Sequence, residues 1–422
     1  MDNSRSESRY IKFNSTVNHI LQQITSPHIQ TFHLRIPQLE RDFSAALESW
    51  IRQISARNVA TIKVTDEFPD RVSYPTCMFE IQSLVELELI GFVYFNLPKA
   101  GYARLPNLKK LELIGTRIYS SFEGLWELIK SCPLLEVLSL SLDYQRTKSV
   151  HISAPNLKYL MILGIMPNLK LLIDAPMLEH IELDGYVGIY RFVKNPTRLL
   201  KADLSIWDFD GLNYGTGIPP LTDSLSQIMA LLQRISNVKS LRLSTDLNFF
   251  KGLNFLDVDV GSIFRNLTHL ILDERLNRSD LIIGVENPIP VCLLSKLKTI
   301  EILNIRGNAK HVKLLKYILS KVNVLERLYV SSYCDKYFDS YKDCDSDDEG
   351  DYEDHIRAFR VRLRDSRRGE LWWEHKLSNT LLMIPKSSLT FEVKFVGNYI
   401  CVSSDRSKNG LVRTLKDKNP CK

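Results

Sequence analysis

Residues 105–113 read LPNLKKLEL, and this stretch decides the fold because its apolar pattern returns along the chain. Three near-copies follow it: CPLLEVLSL at 132–140, APNLKYLMI at 154–162 and APMLEHIEL at 175–183. Each copy starts with a proline-containing segment and continues with apolar residues spaced first by two residues and then by one. Recurrence of such a pattern at intervals of about 20 to 29 residues is typical of leucine-rich repeats.

Weaker copies extend the pattern in both directions, at spacings of 21 to 39 residues. With the four clear copies included, the first apolar positions of the series are Ile29, Val59, Leu84, Leu108, Leu135, Leu157, Leu178, Leu199, Val238, Leu267, Leu297 and Leu325. We therefore predict an α/β leucine-rich-repeat solenoid, in which each unit supplies one strand of a parallel β-sheet. The sheet forms the concave face, and irregular helices and loops form the convex face.

Within each repeat the skeleton residues point into the core, as Leu108, Leu111 and Leu113 do in the deciding stretch. Helical spacing between strands predicts four convex-side helices, near residues 43–54, 122–129, 224–235 and 311–322. In the middle repeats only about ten residues separate the strands, which is too short for a helix with its turns. The outer layer there is predicted to consist of short turns or loops.

The residues that alternate with the skeleton point outward and form the predicted concave binding face. Their mixture of charge, aromatic rings and methionine favours a protein or peptide partner over a phosphate backbone. Solvation without a partner is the alternative for any one of them. They are Glu86, Glu88, Lys110, Glu112, Tyr159, Met161, His180, Glu182, Asp184, Lys201, Asp203, Arg242, His269, Asp273, Glu301, Arg327 and Tyr329.

The composition of the 422-residue chain favours a cytoplasmic or nuclear protein. Its first residues, MDNSRSESRYIKF, lack the apolar core of a signal peptide, and no apolar run reaches the roughly 18 residues of a membrane span. We expect no membrane partner. The seven cysteines form no CxxC pair or zinc-type cluster with histidine, so we interpret them as reduced thiols.

The net charge of +6 hides an uneven distribution. Residues 335–354 hold ten acidic residues and two lysines, a net charge of −8, which leaves +14 on the rest of the chain. The basic residues are spread thinly, which favours solubility over nucleic-acid binding. The acidic run is predicted to be a solvated loop, because it lacks the spacing of a calcium loop. The arginines that follow, from Arg357 to Arg368, could pair with this run or bind an acidic partner.

No motif in the sequence predicts catalysis. The chain has no Gly-rich nucleotide loop, no zinc-protease helix and no nucleophile elbow. His180 lies near Glu179 and Glu182, and His355 lies beside Asp354, but these are interpreted as ordinary sequence neighbours. We expect no catalytic residue, no cofactor and no metal site, and hence no enzyme.

Composition and repeat spacing divide the chain into six segments. They are an N-terminal cap with a helix (1–57), the leucine-rich-repeat array (58–292), a continuation of the repeats (293–332), an acidic then basic insertion predicted to be disordered (333–375), a closing motif and strand (376–400) and a flexible tail (401–422).

Several of these segments resemble the plant family of F-box proteins with leucine-rich repeats and a C-terminal FBD region. Trp50-Ile-Arg followed by Ala56-Arg-Asn-Val is similar to the family's entry into the first full repeat. Leu297-Lys-Thr-Ile-Glu-Ile, the helix at 311–322 and Leu325-Glu-Arg-Leu-Tyr-Val resemble the first half of an FBD region. Leu381-Leu-Met-Ile-Pro-Lys-Ser-Ser resembles its closing motif.

The resemblance implies a protein that recognises targets for an SCF-type (cullin-RING) ubiquitin ligase. Family members open with an F-box of some forty residues, which docks onto the ligase adaptor, and no such module is recognisable in this sequence. Residues 10–36 instead resemble the segment that follows the F-box. We therefore expect a target protein on the concave face and a ligase adaptor only if an F-box is supplied upstream. The alternative is an F-box-less scaffold or competitor with no ligase role.

Overall fold

The chain forms two compact units, Met1–Asn237 and Val238–Lys422, which we call unit 1 and unit 2. The computed structural model describes residues 2–37, 42–66, 73–91, 94–95, 104–115, 117–118, 123–142, 149–165, 169–186, 188–207, 221–244, 263–273, 294, 296–305, 309–322, 324–332, 372–383, 392–397, 400–405 and 410–415.

Unit 1 is built from a long parallel sheet, two small parallel sheets and several helices. Its elements in chain order are α1 (Asp2–Gln23), β1 (Thr31–Ile36), α2 (Ser44–Ser55), β2 (Thr61–Asp66), β3 (Ser73–Tyr74), a 3₁₀ helix (Thr76–Glu80), β4 (Glu86–Gly91), β5 (Tyr94–Phe95), β6 (Lys110–Ile114), β7 (Arg117–Ile118), α3 (Glu123–Lys130), β8 (Val137–Ser141), β9 (Ser149–Ser153), β10 (Tyr159–Ile165), β11 (Lys170–Asp174), β12 (His180–Tyr186), β13 (Ile189–Phe192), β14 (Lys201–Trp207) and α4 (Leu221–Arg234). The long sheet has the strand order β1-β2-β4-β6-β8-β10-β12-β14, with every neighbouring pair parallel.

Unit 2 contains parallel strands of the same repeat pattern, followed by strands that pair antiparallel. Its elements are β15 (Ser240–Leu243), β16 (His269–Asp273), β17 (Thr299–Ile305), α5 (Ala309–Lys321), β18 (Arg327–Ser332), α6 (372–382), β19 (Glu392–Val396), β20 (Ile400–Asp405) and β21 (Gly410–Leu415). Strands β15 to β19 pair in parallel, and β19-β20-β21 pair antiparallel. No helix in the described ranges of the chain is long and apolar enough to span a bilayer.

Each proline-containing segment forms a turn that leads directly into the next strand. In the repeat at 175–183 the N–H of Leu178 donates to the carbonyl of Ala175 at 3.1 Å, with Pro176 at the second turn position. His180 then enters the sheet through an N–H bond to Lys158 of the preceding repeat, at 2.9 Å. The structure thus confirms the predicted leucine-rich-repeat α/β fold.

The predicted inward positions form the core. Leu108 and Leu111 are completely buried, and Leu113 is 1% exposed. Burial of a leucine side chain is worth roughly 1.5 to 3 kcal/mol, so the stack of such residues along the sheet is the main source of stability in each unit.

The outer layer of the middle repeats differs from the prediction of turns and loops. Strands β9, β11 and β13 form a second parallel sheet there, in the order β13-β11-β9, and β3, β5 and β7 form a third. The prediction was wrong because strands of four or five residues fit into the short spacers. In the second sheet apolar residues alternate inward, and Ile152 and Ile173 are 0% and 1% exposed.

The flexible tail predicted from residue 401 onward was also wrong for the strands β20 and β21. Val402 is completely buried, and Ile400, at the start of β20, is 1% exposed. Antiparallel pairing with β19 places their side chains on the core side of the sheet. The alternation is short and surrounded by serines, which makes it easy to overlook in the sequence.

Helix α6 begins inside the segment that the sequence assigned to a disordered insertion. Glu374, Leu377, Ser378 and Leu381 are buried at helical spacing. The carboxylate of Glu374 accepts a hydrogen bond from the N–H of Ile400 at 3.0 Å, which ties α6 to β20. The acidic run at 335–354, the arginines at 357–368 and residues 384–388 of the closing motif lie outside the described residues.

Helix α1, which the sequence analysis did not predict, covers the first repeat of unit 1. The ring of Phe13 lies 5.6 Å from Phe43 and 6.2 Å from Trp50, centroid to centroid. The indole N–H of Trp50 donates to Asn18 at 2.8 Å. Because Phe43 and Trp50 are almost completely buried, α1 serves as the cap that a repeat array needs at its end.

Candidate functional site

The outward side of the long sheet in unit 1 carries polar side chains aligned by the parallel register, and we call it the unit-1 face. One row across neighbouring strands consists of Glu86, Lys110, Val137, Tyr159, His180 and Lys201. A second row, two residues further along each strand, consists of Lys63, Glu88, Glu112, Ser139, Met161, Glu182 and Asp203. All the predicted outward residues of unit 1 except Asp184 lie in these two rows. Asp184 lies two residues beyond Glu182 on β12.

Ion pairs join the first strands of the unit-1 face. The Glu88 carboxylate accepts hydrogen bonds from the ammonium groups of Lys63 at 2.9 Å and Lys110 at 2.6 Å, and Lys110 also lies 3.3 Å from Glu112. Burial alone would raise the pKa of Glu88, but the two lysines outweigh it and hold this pKa below its ordinary value. The Glu88 carboxylate therefore stays ionised and contributes to the stability of the sheet.

A second polar cluster lies on β10, β12 and β14. The Tyr159 hydroxyl donates to Glu182 at 2.9 Å, and Asp203 accepts from His180 at 3.3 Å and from Lys201 at 2.9 Å. Burial acts to raise the pKa of Asp203, but the hydrogen bonds from His180 and Lys201 bring it below its ordinary value. The ring of Tyr159 packs edge-on against the His180 ring at 4.8 Å.

Asp184, two residues beyond Glu182, behaves in the opposite way. Burial, reinforced by the negative charge of Glu182, raises the pKa of the Asp184 carboxyl. The unit-1 face therefore contains a carboxyl group whose ionised form is disfavoured by its surroundings. A positive charge placed beside Asp184 would stabilise that ionised form.

The outward side of the sheet in unit 2 is also internally paired. Arg242 donates to Asp273 at 2.7 Å, His269 lies 2.9 Å from Glu301, and Arg327 donates to Glu392 at 3.3 Å. The ammonium group of Lys394 lies 5.8 Å from the ring centroid of Tyr329, within range of a cation–π interaction. The predicted outward residues of unit 2 are Arg242, His269, Asp273, Glu301, Arg327 and Tyr329.

Three of the predicted outward residues are covered by their neighbours. Glu88, Asp203 and Asp273 are 8%, 7% and 2% exposed. Sequence alternation identifies the side of the sheet, but it does not show that side chains on adjacent strands close over these carboxylates. The remaining outward residues are half-buried, apart from the exposed Arg327.

Several polar residues that complete these clusters were not predicted from the sequence. Lys63 and Ser139 belong to the second row of the unit-1 face, and Asn304 donates to Asp273 at 2.8 Å in unit 2. Lys63 could have been found from the alternation of β2, where Ile62 and Val64 are buried on either side. Asn304 has a positive φ of 58°, which its sequence position does not reveal.

The register also joins donors that the sequence keeps apart. His180, Glu182 and Asp203 each place a metal-ligating atom within 4.8 Å of the others. From the sequence, His180 and Glu182 were interpreted as ordinary neighbours. Asp203 lies one repeat further on, and strand pairing brings it opposite Glu182, so the cluster of three is not visible in the sequence.

The thiols of buried Cys132 and half-buried Cys77 have little nucleophilic character. Burial raises the pKa of Cys132 to about 11 and also raises that of Cys77. Since the thiolate is the reactive form of cysteine, both side chains are protonated near neutral pH.

Comparison with known proteins gives two family matches. Residues 47–192 match the model described as FBD-associated F-box protein At5g56370, LRR repeats, and residues 286–329 match the model described as FBD. The first match runs from α2 to β13, and the second includes β17 and α5.

Individual relatives from Arabidopsis thaliana span most of the chain. F-box/LRR-repeat protein 13 is 25% identical over 66% of this chain and 68% of its own length. F-box/FBD/LRR-repeat protein At5g22660 is 26% identical over 68% of this chain and 70% of its own length. F-box/FBD/LRR-repeat protein At3g14710 is 27% identical over 78% of this chain and 76% of its own length.

The stacked parallel strands and their repeated leucine core define a leucine-rich-repeat protein. The matches to the repeat and FBD models, together with these relatives, narrow this class to one family. These matches support its membership of the plant family of F-box/FBD/LRR-repeat proteins.

Proposed function

We propose that this chain is a non-enzymatic protein-binding member of its family, which holds a target protein on the unit-1 face. In this proposal it acts as the substrate-recognition part of an F-box subunit of an SCF-type (cullin-RING) ubiquitin ligase. The observation that carries the proposal is the in-register display of charged, aromatic and methionine side chains across strands β2 to β14. Side chains held in this way by a rigid sheet suit recognition of a folded surface.

The charge of the unit-1 face supports a protein partner over a nucleic acid. Across strands β2 to β14 the face carries three lysines against six carboxylates: Lys63, Lys110 and Lys201 against Glu86, Glu88, Glu112, Glu182, Asp184 and Asp203. Strand β1 adds one positive charge, Arg35, which leaves the excess negative. A phosphate backbone would be repelled by this excess of negative charge, whereas a target protein with a basic patch would be attracted.

The second candidate is a scaffold or competitor that holds the same target without delivering it to a ligase. The family-model matches fall on the repeats and the FBD region, which would serve target binding in both roles. The two candidates differ only in whether a ligase adaptor accompanies the bound target.

Affinity capture with a charge-reversal variant tests target binding. The variant Glu86→Lys/Glu112→Lys changes two side chains of the unit-1 face, which are 39% and 18% exposed. The matched control Glu48→Lys/Glu127→Lys makes the same change in charge on helices α2 and α3, at side chains 46% and 44% exposed. Capture from plant extract with mass spectrometry should show proteins that the wild type and the control retain and the face variant loses.

The same eluates separate the two candidate roles. Equal capture by both variants, with unchanged melting temperatures, would refute the unit-1 face as the binding surface. A ligase adaptor that accompanies the target in the wild-type eluate supports the ligase role. Target without adaptor, in a full-length protein expressed in plant cells, supports the scaffold.

A further inference from the structure

The cluster around Asp203 has a feature that hydrogen bonding within the sheet does not explain. Asp203 is 7% exposed, and its Oδ2 accepts from His180 and Lys201. Its other oxygen, Oδ1, is fully covered and accepts no hydrogen bond from the residues that the structure describes. A buried acceptor without a partner costs about 1 to 3 kcal/mol, so the position favours an additional ligand.

The strand geometry places two further metal-ligating side chains beside the Asp203 carboxylate. His180 and Glu182 are two residues apart on β12 and therefore point to the same side, and Asp203 on β14 lies directly opposite Glu182. The imidazole Nε2 of His180 is 3.3 Å from Oδ2 of Asp203, and ligating atoms of all three residues lie within 4.8 Å.

We propose that His180, Glu182 and Asp203 form a site for a divalent cation of the zinc class. One imidazole and two carboxylates match the nitrogen and oxygen ligands of Zn²⁺, whereas Ca²⁺ and Mg²⁺ prefer oxygen ligands alone. Tetrahedral zinc with bonds of about 2.0 to 2.2 Å separates its ligands by roughly 3.3 to 3.6 Å, and the His180–Asp203 distance already has this value.

Binding requires two local rearrangements, both available to these side chains. Nε2 of His180 must present its lone pair, so the imidazole binds as the Nδ1–H tautomer or releases a proton. The ammonium group of Lys201 must leave Oδ2 of Asp203, and since this side chain is 39% exposed it can turn into solvent. The three protein donors leave the fourth metal position open on the unit-1 face.

The role of Lys201 gives the proposal a distinctive signature. A bound dication and the Lys201 ammonium compete for the same carboxylate, because both are positive charges close to Oδ2. Removing the lysine charge should therefore strengthen metal binding, whereas a variant that only disturbs the structure would weaken it.

The test is titration of the untagged full-length protein, stripped with EDTA, with Zn²⁺ by calorimetry and with Co²⁺ by visible absorption. One equivalent of metal should bind. His180→Ala and Asp203→Asn should each weaken binding by at least about tenfold, since loss of even an outer-shell partner has that effect. Lys201→Met should tighten it. The matched control is His269→Ala, because His269 pairs with Glu301 at 2.9 Å but belongs to no described cluster of three donors.

Three results would overturn the proposal. They are no binding of Zn²⁺ by the wild type at about 0.1 mM, equal loss of binding in His180→Ala and His269→Ala, and weaker binding in Lys201→Met. Circular dichroism melts identify variants that fail to fold. If Asp203→Asn is among them, Lys201→Met and His180→Ala still test the proposal. Both replace partly exposed side chains, at 39% and 22% exposure, so both variants are expected to fold.

Discussion

At the residue scale, the polar side chains of the unit-1 face are held in place by partners from other repeats. Glu88 receives its hydrogen bonds from Lys63 and Lys110, which are 25 and 22 residues away in sequence. Alternation along one strand predicts that Glu88 points away from the leucine core. It cannot predict that two lysines cover the carboxylate, because that depends on the register between strands.

Replacing either of two carboxyl groups on this face, Glu88 and Asp184, by its neutral amide should change the melting temperature in opposite directions. The pKa of Glu88 lies below its ordinary value of 4.5, so its ionised form favours folding above that pH and the contribution is lost as the pH falls through the lowered pKa. The pKa of Asp184 lies above its ordinary value of 3.8, so its ionised form opposes folding near pH 7. Glu88→Gln should lower the melting temperature at pH 7, and Asp184→Asn should raise it.

Thermal melts from pH 3 to pH 7 measure both effects. The difference between each variant and the wild type should shrink as the pH falls, because protonation removes the charge that distinguishes the acid from its amide. A difference of roughly 1.5 to 3 kcal/mol at pH 7 is expected for Glu88→Gln, the range for a hydrogen bond to a charged group. A stabilising Glu88→Gln, or a difference that does not decrease between pH 7 and pH 3, would contradict the ion-pair assignment.

At the element scale, helical periodicity was predictive and short strands were not. The helix predicted at 43–54 is α2 at Ser44–Ser55, and the one predicted at 311–322 is α5 at Ala309–Lys321. Strands such as β9, β11 and β20 span only five or six residues, too few for alternation to stand out from the background. Their pairing partners lie in other repeats, and that information is not local.

Strand β20 offers a matched pair of positions for a test of the C-terminal strands. Val402 is completely buried, while the next residue, Ser403, is exposed. Val402→Asp should destabilise unit 2 by several kcal/mol because it places an unpaired carboxylate in the core, and Ser403→Asp should have little effect. Hydrogen exchange should show lost protection in β19 and β20 only for Val402→Asp. Equal protection in both variants would indicate that residues 400–405 do not form the strand.

At the scale of the whole molecule, the repeat rule was visible in the sequence, and the division into two units was not. The skeleton positions from Val59 to Leu325 are almost all buried, as their spacing predicts. The boundary at Asn237 falls between repeats of the same pattern, so no change of composition marks it. For the candidate binding face, the sequence predicted which residues face outward, but not which of them are covered.

The effect of a core mutation should spread along the repeats of unit 1. Strand β6 pairs with β4 on one side and β8 on the other, and Leu111 is completely buried between them. Leu111→Asp or Leu138→Asp should cost several kcal/mol and remove hydrogen-exchange protection from neighbouring repeats. Glu112→Ala should leave thermal stability almost unchanged. The reverse order of melting temperatures would show that the inward and outward assignments are wrong.

Helix α1 has a consequence for how one molecule behaves toward another. A stack of repeats ends in an apolar cross-section that resembles the surface its own next repeat would cover. By laying Phe13 over Phe43 and Trp50, the helix covers these two large apolar side chains of the first repeat. Proteolytic removal of α1 would therefore expose an apolar surface, and we expect the trimmed protein to self-associate.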